Sequence, residues 1–418
     1  MSRILLSAYA CEPGKGSEPA VGWMWAMELG SRGHEVWVLT RKSNRRAIED
    51  AASWPPRADV HFDYIDLPTW ILPLKTLPGG IYLYYFVWQW LAFCTARRLH
   101  RERPFDCAHH VTFVSLRAPS FMGLLGIPFL LGPVSGGERV PWAFRRDMSS
   151  RARAVELARD CANFFLGFDP AMRSSFRSAT RIYVTSRESL ALIPRRFHHK
   201  CEVQLAIGLT RTQLALCRRK MPSSREVLRC VYAGRLLEWK GLSTALLAIR
   251  NLKARNIPVH LTMIGNGPVR RSLQSLAVKL EITDRIDWLP WVPQDELQSR
   301  LHEHDVLLFP SLRDSGGMVV LEALAQGLPV VCLDLGGPGE IVNNHCGRVV
   351  ATGAKTSEAI APAIAAHLES LVRNPGLLQS LSLNARRRAW DFEFGRVVDR
   401  VYGAERIEHE RLQEAATP

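Results

Sequence analysis

The stretch LLFPSLRDSGGMVVLEALAQGLPVV, Leu307 to Val331, sets the reading of the whole chain. It opens as a short apolar run ending at Pro310, the pattern of a parallel strand buried on both faces. A polar, glycine-containing turn follows from Ser311 to Gly317. Met318, Leu321, Leu324 and Ala325 then recur at helical spacing until Gly327 stops the helix, and Pro329 opens a second apolar run from Val330 to Cys332. The segment therefore reads as strand, turn, helix, strand. Gly316 and Gly317 stand at the helix N-terminus, where unpaired N–H groups and the positive end of the dipole suit a phosphate. Asp314 lies in the turn and Glu322 eight residues later in the helix, so two carboxylates frame a position where open α/β sheets bind ligands. A plain strand–helix–strand unit with a solvated Asp and Glu is the competing reading of this stretch alone.

Working outward, the 418 residues exceed one typical core, which predicts two domains. Hydrophobic residues make up 47% and charged ones 22%, an ordinary globular balance. The first residues, RILLSAYA, read as a strand and not as a secretory leader. The nine cysteines form no C-x-x-C pair and no His/Cys cluster at zinc spacing, which points to reduced thiols and a cytoplasmic protein, with no metal expected. The net charge of +14 suits anionic partners. It is dispersed in short clusters (Arg97–Arg103, Arg145–Arg153, Arg195–Lys200, Arg218–Lys220, Arg386–Arg388) without a nucleic-acid-binding motif, so nucleic acid is not the expected partner.

The N-terminal half repeats strand–helix units. Arg3–Ala10 is a strand, the loop CEPGKGSE carries Gly14 and Gly16, a helix runs from about Pro19 to Ser31, and Glu35–Thr40 is the second strand. The dinucleotide fingerprint fails here, since Pro19 stands where a third glycine belongs and Arg41, not an acid, ends the second strand. A nicotinamide cofactor is therefore not expected. Further strands are read at Val60–Asp66, Phe105–Phe113, Ile127–Leu131, Arg181–Thr185 and Cys201–Ile207, with His109 and His110 near the end of the fourth and the glycine-rich GPVSGGE beyond the fifth. The aromatic run Ile81–Cys94, followed by TARRLHRER, is too short to span a bilayer. It has two readings, a helix buried on the sheet or an interfacial helix docked on an anionic membrane surface.

The polar stretch 210–226 reads as a linker between an N-terminal domain (1–209) and a C-terminal domain (227–392), with the final helix, about 393–418, packing back on the first domain. In the second domain Gly234 and Arg235 end a strand and Lys240-Gly241 precede a helix, so two cations converge on a helix N-terminus.

Four motifs in order, AGRLLEWKG, MIGNGP, PSLRDSGGMVVLEALAQGLPVV and DLGGPGEIV, resemble those of the retaining family-4 glycosyltransferases of the GT-B fold, strongly over Val227–Val342 and more loosely upstream. The resemblance implies an α/β fold of two Rossmann-like domains facing across a cleft. It implies a transferase that moves a sugar, with retention of configuration, from a nucleoside-diphosphate sugar (UDP or GDP) to a glycan or lipid-linked acceptor in polysaccharide or glycoconjugate biosynthesis. Arg235 and Lys240 would hold the diphosphate and Glu322 the ribose, while Asp314 would contact the sugar. Gly317, Met318 and Val319 would meet the phosphates or sugar, Gly265 and Gly316 would also line the donor, and Trp291 and Val292 would lie near the base. Gly16 would close over the diphosphate, and His109 or His110 would face the transferring sugar. The first acid of the E-x7-E pair is Asp314, one methylene short, and Gly316 stands where an aromatic is usual, so the sugar is left open. The alternatives are an inactive nucleotide-sugar-binding protein or another GT-B enzyme such as an epimerase or a phosphorylase. The location expected is cytoplasmic, with peripheral attachment to the inner face of the membrane if the aromatic helix is interfacial.

Overall fold

Apolar runs that end in glycine or proline turns form parallel strands here, because a strand covered on both faces has no polar side to alternate with. The computed structural model describes residues 1–16, 18–51, 59–68, 71, 80–216 and 226–403. They fall into two compact units. The first comprises Met1–Gly137, Asp160–Ile207 and the described residues from Phe394 onward; the second comprises Glu138–Arg159 and Gly208–Glu393.

The first unit is built on seven strands: β1 (Arg3–Ser7), β2 (Glu35–Arg41), β3 (Val60–Ile65), β4 (Cys107–His110), β5 (Phe129–Val134), β6 (Arg181–Val184) and β7 (Cys201–Val203). They pair in parallel in the order β3-β2-β1-β4-β5-β6-β7. The order reverses between β1 and β4, which opens a crevice at their carboxyl ends. The pleat sorts the core into two layers. Leu5 joins one face with Tyr84, Tyr85, Trp88, Ala92 and Ala96 of the Gly80–Glu102 helix. Ile4 and Leu6 join the other with Val21, Trp25, Ala26 and Leu29 of the Glu18–Ser31 helix and with Phe394, Val397, Val398 and Val401. Residues 394–403 are helical and packed within this unit, with Tyr183 Oη donating to the Val401 carbonyl at 3.0 Å. Residues 404–418, the remainder of the expected final helix, lie outside the described residues, as do 217–225 of the expected linker.

The Gly80–Glu102 helix buries one side of its aromatic run and exposes the other. One face is core, while Tyr82, Leu83, Phe86 and Trp90 on the other are 42–54% exposed. Leu124 (51%) and Phe164, Phe165 and Phe168 (63–70%) are likewise exposed on segments packed against the same side of the sheet. No helix among the described residues is long and apolar enough to cross a membrane.

The second unit has six strands: β8 (Leu228–Ala233), β9 (Val259–Ile264), β10 (Ile286–Leu289), β11 (Val306–Phe309), β12 (Val330–Leu333) and β13 (Gly347–Val350). Their order, β10-β9-β8-β11-β12-β13, is again all parallel and again reverses once, between β8 and β11. The strand β13 has no counterpart in the sequence reading. Its four residues GRVV are too few to show a period. Several first-unit strands are shorter than their apolar runs: β4 keeps only Cys107–His110 of the expected Phe105–Phe113, and β7 only Cys201–Val203.

Candidate donor-binding site

The reversal between β8 and β11 places two loops side by side at the carboxyl ends of the central strands of the second sheet. After β8, Gly234 and Arg235 lead into the short turn Glu238–Lys240 and the Leu242–Ala254 helix. After β11, residues 310–317 lead into the Met318–Ala325 helix, with Gly317 at its N-cap. The two loops touch backbone to backbone. Leu312 N–H donates to the Trp239 carbonyl at 2.9 Å. A Cβ on Gly241 would stand 2.0 Å from the Pro310 carbonyl oxygen, and its φ of 64° is one that L side chains avoid. A second close approach lies beside it, where a Cβ on Gly265 would meet the Gly234 carbonyl oxygen at 2.0 Å. Glycine at both positions lets the loops after β8, β9 and β11 share one small region.

Lys240 and Asp314 meet there. The Lys240 ammonium pairs with the Asp314 carboxylate and lies 5.2 Å from the Phe309 ring centre. Asp314 also accepts from the Gly316 N–H at 3.3 Å, and its main-chain carbonyl accepts from the Gly337 N–H at 2.8 Å. Arg235 is exposed and has no carboxylate within 4 Å among the described residues. Glu322 is buried, accepts from the Gln294 amide at 2.7 Å, and has its carboxyl pushed above the usual range by burial, which that bond only partly offsets. Met318 and Val319 form the first turn of their helix beside Gly316 and Gly317. Beyond β10, Trp291 is 67% exposed and Val292 is buried. In the sequence Gln294 shows only as a helix start. Its role as the partner of Glu322 depends on packing between helices 28 positions apart.

His109, His110 and Gly16 belong to the first unit. Both histidines are fully buried. The His109 imidazole is held neutral, its pKa lowered to about 3 by burial. It donates from Nε2 to the Gly132 carbonyl at 2.7 Å and accepts at Nδ1 from Tyr402 Oη at 2.8 Å, so neither ring nitrogen is left for a ligand. His110 is likewise lowered to about 4, contacts Tyr85 Oη only at 3.4 Å, and leaves Nδ1 unpartnered. Gly16 is exposed, and a Cβ added there would meet nothing within 4 Å. Glu18, which carries no signal of its own in the sequence, ties the loop after β1 to that after β4 by accepting from the Val114 N–H, and burial raises its carboxyl. No group of three or more potential metal ligands occurs among the described residues.

Two doubly wound parallel units with this strand order are the GT-B class of fold. Likeness to solved structures extends over the whole chain: a sucrose-phosphate synthase from Thermosynechococcus elongatus (TM-score 0.60, 17% identity, 100% of each chain) and HepE from Anabaena in complex with UDP and glucose (TM-score 0.58, 13% identity, 98% of this chain and 100% of that one). At these identities they speak for the fold. Residues 218–388 match the family described as Glycosyl transferases group 1. Curated relatives match over part of the chain: a D-inositol 3-phosphate glycosyltransferase of Rhodococcus jostii (31% identity, 40% of this chain, 38% of that protein) and the amylovoran biosynthesis glycosyltransferase AmsK of Erwinia amylovora (30%, 38% and 40%). The matched part thus spans about two fifths of these relatives' length.

Proposed function

We propose that the chain is a glycosyltransferase that takes a sugar from a nucleoside-diphosphate sugar and passes it, with retention of configuration, to a glycan or lipid-linked acceptor in polysaccharide or glycoconjugate biosynthesis. The observation that carries this reading is the pairing of Lys240 with Asp314 at the strand-order reversal of the second sheet, on two loop–helix segments that also carry Arg235 and Glu322. Breaking a sugar–phosphate bond puts negative charge on the leaving diphosphate. Fixed cations and helix N-termini aimed at that charge stabilise it. Lys240 and Arg235 are assigned to the diphosphate, the amides of Gly317, Met318 and Val319 to the phosphate or sugar oxygens, and Glu322 to the ribose hydroxyls, with Gly265 and Gly316 lining the donor and Trp291 and Val292 near the base. Asp314 is assigned to the sugar, and of the β4 histidines only His110 keeps a ring nitrogen free for it. A thermal-shift panel of UDP- and GDP-sugars tests the assignment, because a ligand that binds only the folded state raises the midpoint. No shift with any member, and no binding of UDP or GDP by calorimetry, would overturn it. Binding without transfer across an acceptor panel would instead favour a nucleotide-sugar-binding protein.

Glu322 supplies a pH test. A carboxyl raised in the folded state binds more protons folded than unfolded, so its contribution to stability falls as pH rises from the ordinary carboxyl range through the raised value and stays lost above it. Glu322→Gln keeps the shape and removes the buried charge. It is expected to raise the unfolding midpoint by about 2 degrees near neutral pH, the gain closing on acidification. It is also expected to weaken nucleotide binding by about tenfold or more, through loss of a charged acceptor.

For location, we propose a cytoplasmic protein that attaches to the anionic inner surface of the membrane through Tyr82, Leu83, Phe86, Trp90, Leu124 and the Phe164–Phe168 cluster, with Arg97, Arg98 and Arg101 beside them. Exposed aromatic and basic groups on one layer suit an anionic interface. Flotation with vesicles rich in phosphatidylglycerol should recover the protein, less so in high salt and less so for Trp90→Ser combined with Phe164→Ser. Recovery equal to that with neutral vesicles would remove this part.

A further inference from the structure

The segment Glu138–Arg159 comes from the first half of the sequence but is built into the second unit. It touches both loops of the candidate site. The Ser149 N–H and hydroxyl each donate to the Glu238 carboxylate at 2.7 Å, two residues before Lys240. Glu156, only 1% exposed, forms an ion pair with the Arg313 guanidinium at 2.8 Å, one residue before Asp314. The other carboxylate oxygen of Glu156 accepts from the Val140 N–H at 3.4 Å, which fixes its orientation. Arg313 also lies over the Trp239 ring, 4.5 Å from its centre, and so packs against the turn that ends in Lys240. One strap therefore grips the phosphate-side turn at its exposed end and the sugar-side loop at its buried end.

A buried carboxylate opposite a largely covered guanidinium holds its loop strictly, because parting the two would leave the Glu156 charge without its cation in low dielectric. Rotation of residues 311–314 would have to break that pair and the Trp239 stacking together. Lys240 and Asp314 are themselves paired. An anionic diphosphate that takes over Lys240 releases the Asp314 carboxylate, and the anchored Arg313 fixes where that carboxylate can then go.

We infer that Glu156 and Ser149 are positioning residues of the donor site. In this arrangement Glu156, through Arg313, aims Asp314 at the sugar of the donor, and Ser149, through Glu238, sets the turn that carries Lys240 to the diphosphate. The inference rests on the donor-site reading above. It assigns to a segment outside residues 218–388 a part in recognising the sugar end of a nucleoside-diphosphate sugar.

The test compares a bare nucleoside diphosphate with its sugar conjugate, using UDP against UDP-glucose and GDP against GDP-mannose, by calorimetry on the full chain. Glu156→Gln is expected to weaken the conjugate by about tenfold while weakening the bare diphosphate by no more than about twofold, because only the sugar contact is misaimed. Ser149→Ala, at an exposed contact, is expected to weaken both equally, by about threefold. A general loss of folding would depress both ligands alike for Glu156→Gln. Should that variant not fold, Glu156→Asp, which keeps the charge, and Ser149→Ala carry the same comparison. Wild-type protein that binds neither pair would remove the donor-site reading itself. Wild-type protein that binds, with a Glu156→Gln or Glu156→Asp ratio of conjugate to bare diphosphate unchanged, would overturn the positioning role alone.

Discussion

Replacing Lys240 by alanine is expected to lower transfer from a nucleotide sugar by about two to three orders of magnitude, the usual consequence of deleting one preorganised group that meets developing negative charge. The side chain is only 16% exposed, so its ammonium acts in a partly desolvated place where a charge counts for more than at the surface. The effect should fall on kcat more than on KM, since charge on the diphosphate grows as the glycosidic bond breaks. Lys240→Ala also leaves Asp314 without its cation, and Lys240→Met combined with Asp314→Asn separates the two effects. If the double variant recovers stability but transfers less than Asp314→Asn alone, the lysine acts on the donor. Equal activity in Lys240→Ala and wild type, measured with saturating donor, would remove the diphosphate assignment.

Gly241→Ala is the second large expected effect, this time on the fold that holds the site. The backbone there is left-handed, which costs an alanine roughly 1–2 kcal/mol. The added methyl would also stand 2.0 Å from the Pro310 carbonyl oxygen, a distance that only a backbone shift can relieve. Together these predict a loss of about 3 kcal/mol or more, read as a lower midpoint in urea with an unchanged slope. Because the displaced carbonyl begins the loop that carries Asp314, nucleotide binding should fall with it. Gly16→Ala is the contrasting case for stability: its site is open and its φ lies outside the left-handed region, so a change within about 0.5 kcal/mol is expected. A Gly241→Ala protein as stable as wild type would mean that the two loops are not in close contact.

The parts of the architecture legible in the sequence are those written locally. Leu307–Val331 shows its strand, turn and helix because each has its own period and its own stop residue, and Lys240 and Arg235 are found by counting from strand ends. The contacts that orient the charges are not local. Glu156 sits in a basic, weakly patterned segment, and nothing near it signals that its carboxylate is buried against Arg313. Gln294 likewise looks like any polar residue at a helix start until the packing brings it to Glu322. The histidine pair shows the limit from another side. Alternation along β4 sends His109 and His110 to opposite faces, and in a half-covered sheet one of them would be solvated. Both faces of this sheet are covered, by the layers of Leu5 and of Ile4 and Leu6, so both rings are core. The sequence could show two histidines at a strand end but not how many layers lay over them.

The strap Glu138–Arg159 bears on how freely donor specificity can be exchanged between relatives. Recombination at the edges of residues 218–388 would carry over every motif that identifies the second half, yet leave Glu156 and Ser149 behind, so that Arg313 travels without its carboxylate and Glu238 without Ser149. A chimera cut there would inherit the letters of the donor site and lose the brace that orients them. On the positioning role proposed for Glu156, grafts that also exchange the strap should retain the parent's sugar preference, and the unit inherited with that preference would be discontinuous along the chain.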